Sequence, residues 1–145
     1  WHKNNIKAVR GVLAGVFDSI HPGYIFMFKE ARKHCTHLTV CLHKDPSING
    51  KMQPVMGVKE RFEILESIKY VDEVIIYETE NDLNNILSTK KYDVRILGTD
   101  YISKKITAKG ATKEIVFIDR SHGWSATKYK RLVYEKYKQF YGEEK

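Results

Sequence analysis

Val9-Arg10-Gly11-Val12-Leu13-Ala14-Gly15-Val16-Phe17-Asp18-Ser19-Ile20-His21-Pro22-Gly23-Tyr24 is the stretch on which the reading of this chain turns. Val9 to Phe17 is an apolar run with the length of a buried strand, and Gly11 and Gly15 are small enough for another backbone to come close. Pro22 holds a helical φ and lacks the N–H that a first helical turn leaves unpaired, so a helix is predicted to begin near residue 22. The free N–H groups and positive dipole end of that helix would then face the space beyond the strand's carboxyl end. In open α/β sheets this is where ligands bind, and anions suit it best. His21 stands at that mouth.

The same grammar repeats outward. Pro22–His34 carries Tyr24, Ile25, Phe28 and Ala31 at helical spacing, and Thr36–His43 alternates as a strand. Lys44–Met56, with Pro46, Ser47, Asn49, Gly50 and Pro54, has the composition of a loop. Gly57–Tyr70 is predicted helical, Val71–Tyr77 a strand, Glu80–Lys90 a helix, Val94–Gly98 a strand, Ile115–Ile118 a fifth strand and Ser125–Tyr141 a last helix. Strands alternating with helices predict a Rossmann-like three-layer α/β/α sandwich with a five-stranded, mainly parallel sheet. One domain is expected over residues 6–145, with residues 1–5 set aside as a tail.

Composition narrows the function classes. The chain has 145 residues, 42% of them hydrophobic, and a mean hydropathy of −0.46, enough for a real core. No apolar run approaches a membrane span, and the start lacks the apolar segment of a signal peptide. Cys35 and Cys41 form no Cys-x-x-Cys pair, so a reducing cytoplasm is the expected compartment. A zinc site built from His34, Cys35, His37 and Cys41 is disfavoured, because His37 and Cys41 on one strand stand about 13 Å apart. The net charge of +7 predicts anionic partners. The basic residues of the last helix read as a solvated face rather than a nucleic-acid stripe. There is no P-loop, no Gly-x-Gly-x-x-Gly and no Gly-x-Ser-x-Gly elbow.

Arg120-Ser121-His122-Gly123-Trp124-Ser125-Ala126-Thr127-Lys128 forms a second turn with the same logic. Ser125 is a good N-cap, whereas Lys128 in the first helical turn opposes the helix dipole, a conflict that a bound anion would relieve.

Five segments in this order resemble the nucleotidyltransferases with a His-x-Gly-His motif, most closely the glycerol-3-phosphate cytidylyltransferase-like branch. They are Gly15-Val16-Phe17-Asp18, His21-Pro22-Gly23-Tyr24, Glu60-Arg61 with Ile68-Lys69-Tyr70-Val71-Asp72-Glu73-Val74, Gly98-Thr99-Asp100, and the turn from Arg120 to Thr127. The resemblance implies transfer of CMP from CTP to a phosphorylated alcohol or sugar, with pyrophosphate released, Mg²⁺ accompanying the triphosphate, and a homodimeric assembly. ATP as donor, or a silent nucleotide-binding relative, is the alternative. The same resemblance implies site roles. His21, Tyr24, Arg120 and Lys51 would be catalytic; Gly15, Val16, Phe17, Asp18, Lys69, Asp100, Ser121, His122, Gly123, Trp124, Ser125, Ala126 and Thr127 would complete the nucleotide site; Lys44, Lys51 and Arg61 would meet the acceptor. One departure matters: Tyr24 stands where the family has a second histidine. Tyrosine titrates near 10, so it offers a neutral hydroxyl where an imidazole near 6.5 could carry charge. His122 is the candidate to supply that missing cation.

Overall fold

The computed structural model describes residues 7–142; the expected tail, residues 1–5, lies outside them. Five strands, β1 (Arg10–Gly15), β2 (His37–His43), β3 (Glu73–Tyr77), β4 (Val94–Gly98) and β5 (Glu114–Ile118), form one sheet in the order β3-β2-β1-β4-β5. Every pairing is parallel, so the sheet is wholly rather than mainly parallel. The helices are α1 (Pro22–Ala31), α2 (Val58–Glu66), α3 (Glu80–Lys90) and α4 (Ala126–Tyr141). After β3 the chain crosses back over β1 and β2 to place β4 on the far side of β1. The topological switch point therefore lies between β1 and β4, where the crossovers diverge and leave a crevice.

Two apolar clusters hold the layers together. Leu13, Phe28, Leu38, Val40, Leu65 and Ile96 join the sheet to α1 and α2. On the other face Val12, Cys41, Leu83, Leu87 and Tyr92 join it to α3. β2 lies between two neighbours and is buried from Leu38 to His43, so its sequence alternation does not separate a wet face from a dry one. Burial pushes the Cys41 thiol up to about 12, which leaves it protonated and unreactive.

The element boundaries correct the sequence reading in particular places. β1 ends at Gly15 rather than Phe17, because Phe17 turns into the left-handed region at φ 51°. α2 stops at Glu66, where Ser67 caps it by donating from Oγ to Glu63 O at 2.8 Å. The stretch predicted as a loop contains a 3-10 turn at Pro46–Asn49, started by Asp45 accepting from Ser47 N at 2.9 Å. α3 and β4 match the predicted spans. Thr79 and Asp82 form a capping box at the start of α3.

Candidate active site

The turn after β1 is tightly wound. Phe17 and Ser19 both have positive φ, 51° and 57°, which non-glycine residues adopt at a steric cost. Packing holds Phe17 there: it is 3% exposed, and its ring lies 5.4 Å from Tyr24 and 5.6 Å from Phe28. Between the two, the Asp18 carboxylate accepts from Val55 N at 2.8 Å and Met56 N at 3.1 Å and pairs with Lys130 Nζ at 2.7 Å. Arg61, 2% exposed, reaches from α2 under the same turn. Its guanidinium donates to the carbonyls of Met56, Val16, His43 and Lys44 at 2.6–3.0 Å.

His21 caps α1. Its Nδ1 accepts from Gly23 N at 3.1 Å, so a neutral ring carries its proton on Nε2. That Nε2 is buried and has no hydrogen-bond partner among the described residues. Burial, and then the proximity of His122 and Arg120, lowers the His21 pKa, so the imidazole is neutral at physiological pH. The ring stacks on Tyr24 at 4.2 Å and lies nearly parallel to Trp124 at 5.9 Å.

His122, from the turn before α4, is built in the same way: its Nδ1 accepts from Trp124 N at 2.9 Å. The two imidazoles meet over Gly23. A methyl group added there would lie 2.8 Å from Cε1 of His21 and 2.8 Å from Cε1 of His122. The two turns thus face each other and present two imidazoles at the amino end of α1.

Beside these imidazoles a two-lobed cleft opens over the carboxyl edge of the sheet. The deeper lobe, about 480 Å³, runs along β1 and β4 beneath residues 101–107. The wider lobe, about 890 Å³, lies between Met52 and Pro54 on one side and the first two turns of α4 on the other. Val16, Tyr24, Lys51 and Arg120 line both lobes and form the waist between them. Arg120 donates to Asp100 at 3.3 Å across the end of β4. Gly98 permits this approach, because a methyl group there would lie 2.6 Å from Arg120 Cδ.

Of the residues singled out from sequence, the cleft gathers Gly15, Val16, Asp18, Tyr24, Lys51, Asp100, Arg120, Ala126 and Thr127. His21, His122 and Trp124 stand together beside it. Ser125 caps α4 by accepting from Lys128 N at 3.1 Å. Ser121 and Gly123 shape the turn, the first bonded to Asp119 and the second at φ 80°.

Three of the residues singled out from sequence, Lys69, Arg61 and Lys44, stand apart from the cleft. Lys69 lies just ahead of Asp72, whose carboxylate accepts from Leu38 N at 2.8 Å at the start of β2. That is the amino edge of the sheet, a strand's length from the cleft. Arg61 is turned inward, its donors occupied by backbone carbonyls, so it braces the turn, whereas Asp18 lines the wider lobe while its carboxylate holds Val55 N, Met56 N and Lys130. Lys44 pairs with Glu78 at 2.9 Å and lines neither lobe. Sequence reading passed over Gly23 as a contact point, Lys130 as the partner of Asp18, and Arg95 in the deep lobe. Only Arg95, a lone charge inside an apolar strand, carried a local signal.

Two helix starts face each other over the switch point of a parallel sheet, with a buried imidazole donor between them. The profile of the cytidylyltransferase-like family matches residues 12–139, and the chain belongs to that family. Among its relatives are the FAD synthase of Archaeoglobus fulgidus, 32% identical over 72% of this chain and 80% of that protein. Another is the bifunctional protein HldE of Hyphomonas neptunium, 32% identical over 88% of this chain. The chain spans only 27% of that HldE's length. The crystal structure of a lipopolysaccharide core biosynthesis protein from Thermoplasma volcanium superposes with a TM-score of 0.65, at 27% identity, covering 77% of this chain and 97% of that one. No helix among the described residues is long and apolar enough to cross a membrane.

Proposed function

We propose that the protein moves AMP from ATP to a phosphorylated acceptor. A phosphate oxygen of the acceptor attacks the α-phosphorus, the bond from that phosphorus to the bridging oxygen breaks, and pyrophosphate leaves. The observation carrying this reading is the buried Nε2–H of His21, a donor with no acceptor among the described residues, its ring fixed by the Gly23 N–H at a helix start. Such a donor costs stability until an anion meets it, and it is already aimed when charge develops on the phosphate. His122 and Arg120 add donors on the opposite turn. Little covalent work is asked of the protein, because this chemistry depends on alignment and on charge stabilisation.

The resemblance pointed to CTP, whereas FAD synthases among the relatives, whose product contains an adenylate, favour ATP. Mg²⁺ is proposed to arrive with the triphosphate, and homodimerisation is part of the same proposal. The test is pyrophosphate release with ATP, CTP, GTP and UTP against a panel of phosphorylated alcohols, sugars and FMN, in Mg²⁺. Release with ATP alone supports the reading, release with CTP alone returns the donor to cytidine, and binding without release identifies a silent relative.

A further inference from the structure

Arg95 is the second residue of β4, flanked by Val94 and Ile96, which belong to the core shared with α1 and α2. The two-residue period of a strand sends Arg95 to the opposite face, into the deep lobe. It is 5% exposed. One terminal nitrogen donates to Thr107 O, while Nε is buried and unpartnered. Among the described residues no carboxylate forms an ion pair with it. Of the two acids that share the lobe, Glu80 is bonded to Thr107 Oγ1 at 2.5 Å and Asp100 to Arg120 at 3.3 Å. A guanidinium does not deprotonate in a protein, so this is a permanent cation removed from water and held in no direct ion pair among the described residues, Glu80 acting on it only at longer range. Such an arrangement is strongly unfavourable unless something else supplies the negative charge.

The lobe has room for that group. Its volume is about 480 Å³, and it opens on the waist through Lys51, with Lys105 on its wall. A nucleobase carries no formal charge and would leave the guanidinium uncompensated, whereas a phosphate or carboxylate would take its free donors as a charge-assisted pair. Resting on the transferase reading, we propose that the deep lobe is the acceptor's and that Arg95 anchors an anionic group, phosphate or carboxylate, borne by the acceptor. The wider lobe beside α4 is left for the nucleoside.

Isothermal titration on the full chain tests this, with inorganic phosphate as the probe and Mg²⁺ with saturating α,β-methylene ATP filling the nucleotide site. Wild type, Arg95→Lys and Arg95→Met are compared. Wild type is expected to bind phosphate in the presence of the nucleotide analogue, with Arg95→Lys weaker and Arg95→Met weakened by about tenfold or more. Nucleotide affinity should stay within about twofold throughout, since Arg95 contacts the acceptor side only. Thermal melting checks the fold: removing an uncompensated buried cation should not lower Tm in Arg95→Met. Equal phosphate affinity in wild type and Arg95→Met, or no phosphate binding to the nucleotide-loaded wild type, overturns the proposal. Loss of nucleotide binding, with Arg95-dependent phosphate binding kept, overturns the transferase reading and leaves an anion site.

Discussion

Lys130 Nζ lies 2.7 Å from Asp18 Oδ2, which ties the last helix to the turn that ends the first strand. Because the same carboxylate takes the N–H groups of Val55 and Met56, one buried side chain joins three segments around the wider lobe. Burial alone would raise the Asp18 pKa, but Lys130 and the two backbone donors outweigh it and hold the carboxyl below its ordinary value. A depressed carboxyl stabilises the fold fully above the unfolded value, and that stability is lost as pH falls through the lower folded one. Asp18→Ala is expected to cost about 3–5 kcal/mol at neutral pH, because it strands Lys130 and two N–H groups. Lys130→Met leaves the backbone bonds and should cost less. Urea unfolding at pH 7 measures both.

His21 has two separable duties, capping α1 through Nδ1 and donating through Nε2. His21→Asn keeps an N-cap acceptor and removes the donor, so the free energy of unfolding should fall by no more than a cap substitution allows, about 1 kcal/mol. The rate of pyrophosphate release should drop about 100-fold or more. The histidine also sets a pH dependence. Its folded pKa is lowered by burial first and then by His122 and Arg120, so the unfolded chain binds the proton more readily. Stability is therefore full above about 6.5 and declines as pH falls through the folded value. In His21→Asn, denaturant midpoints followed from pH 8 to 5 should lose that component.

Gly23→Ala separates helix propensity from site geometry. Propensity alone predicts a gain of about 1 kcal/mol for alanine in a helix. Here the new methyl group would meet both imidazoles at 2.8 Å. We expect no rise in Tm and a fall in kcat of about tenfold or more, since sub-ångström displacement of aligned donors is costly. Thermal melting and steady-state kinetics on the one variant decide it.

Burial keeps the Tyr24 hydroxyl neutral by raising its pKa, the effect of Arg120 being smaller. Its ring, stacked on His21 and edge-on to Phe17, serves packing whatever its hydroxyl does. Tyr24→Phe should therefore preserve Tm and lower kcat by less than about tenfold. His122→Ala should lower kcat by about tenfold or more, as the loss of a donor. Tyr24→His in the His122→Ala background should recover part of it, a non-additive pair in a kinetic cycle.

Much of this molecule is local and so was legible in its sequence. Pro22 and Ser125 mark two helix starts because capping is decided by neighbouring residues, and α3 and β4 follow from apolar spacing within a single element. The two facing turns, and with them His21, Trp124 and Arg120, follow from the rule that parallel strands end on one side of the sheet. The motif resemblance carried the family.

What the tertiary structure decided is the partner of each charge. Lys69 follows a helix in a motif of the right composition, yet that helix runs back to the amino edge of the sheet, and a charge there cannot reach a ligand at the carboxyl edge. Arg61 reads as a ligand-binding residue until its donors are traced to backbone carbonyls, all but that of Met56 17 or more residues away. The meeting of His122 with His21 over Gly23, and the solitude of Arg95 in its lobe, depend on strand order as well as spacing. Periodicity and capping are properties of adjacent residues. Counter-ions and cavities arise only when crossovers bring distant residues to the same edge of a sheet, which is why sequence located the mouth of this site and the fold determined what lines it.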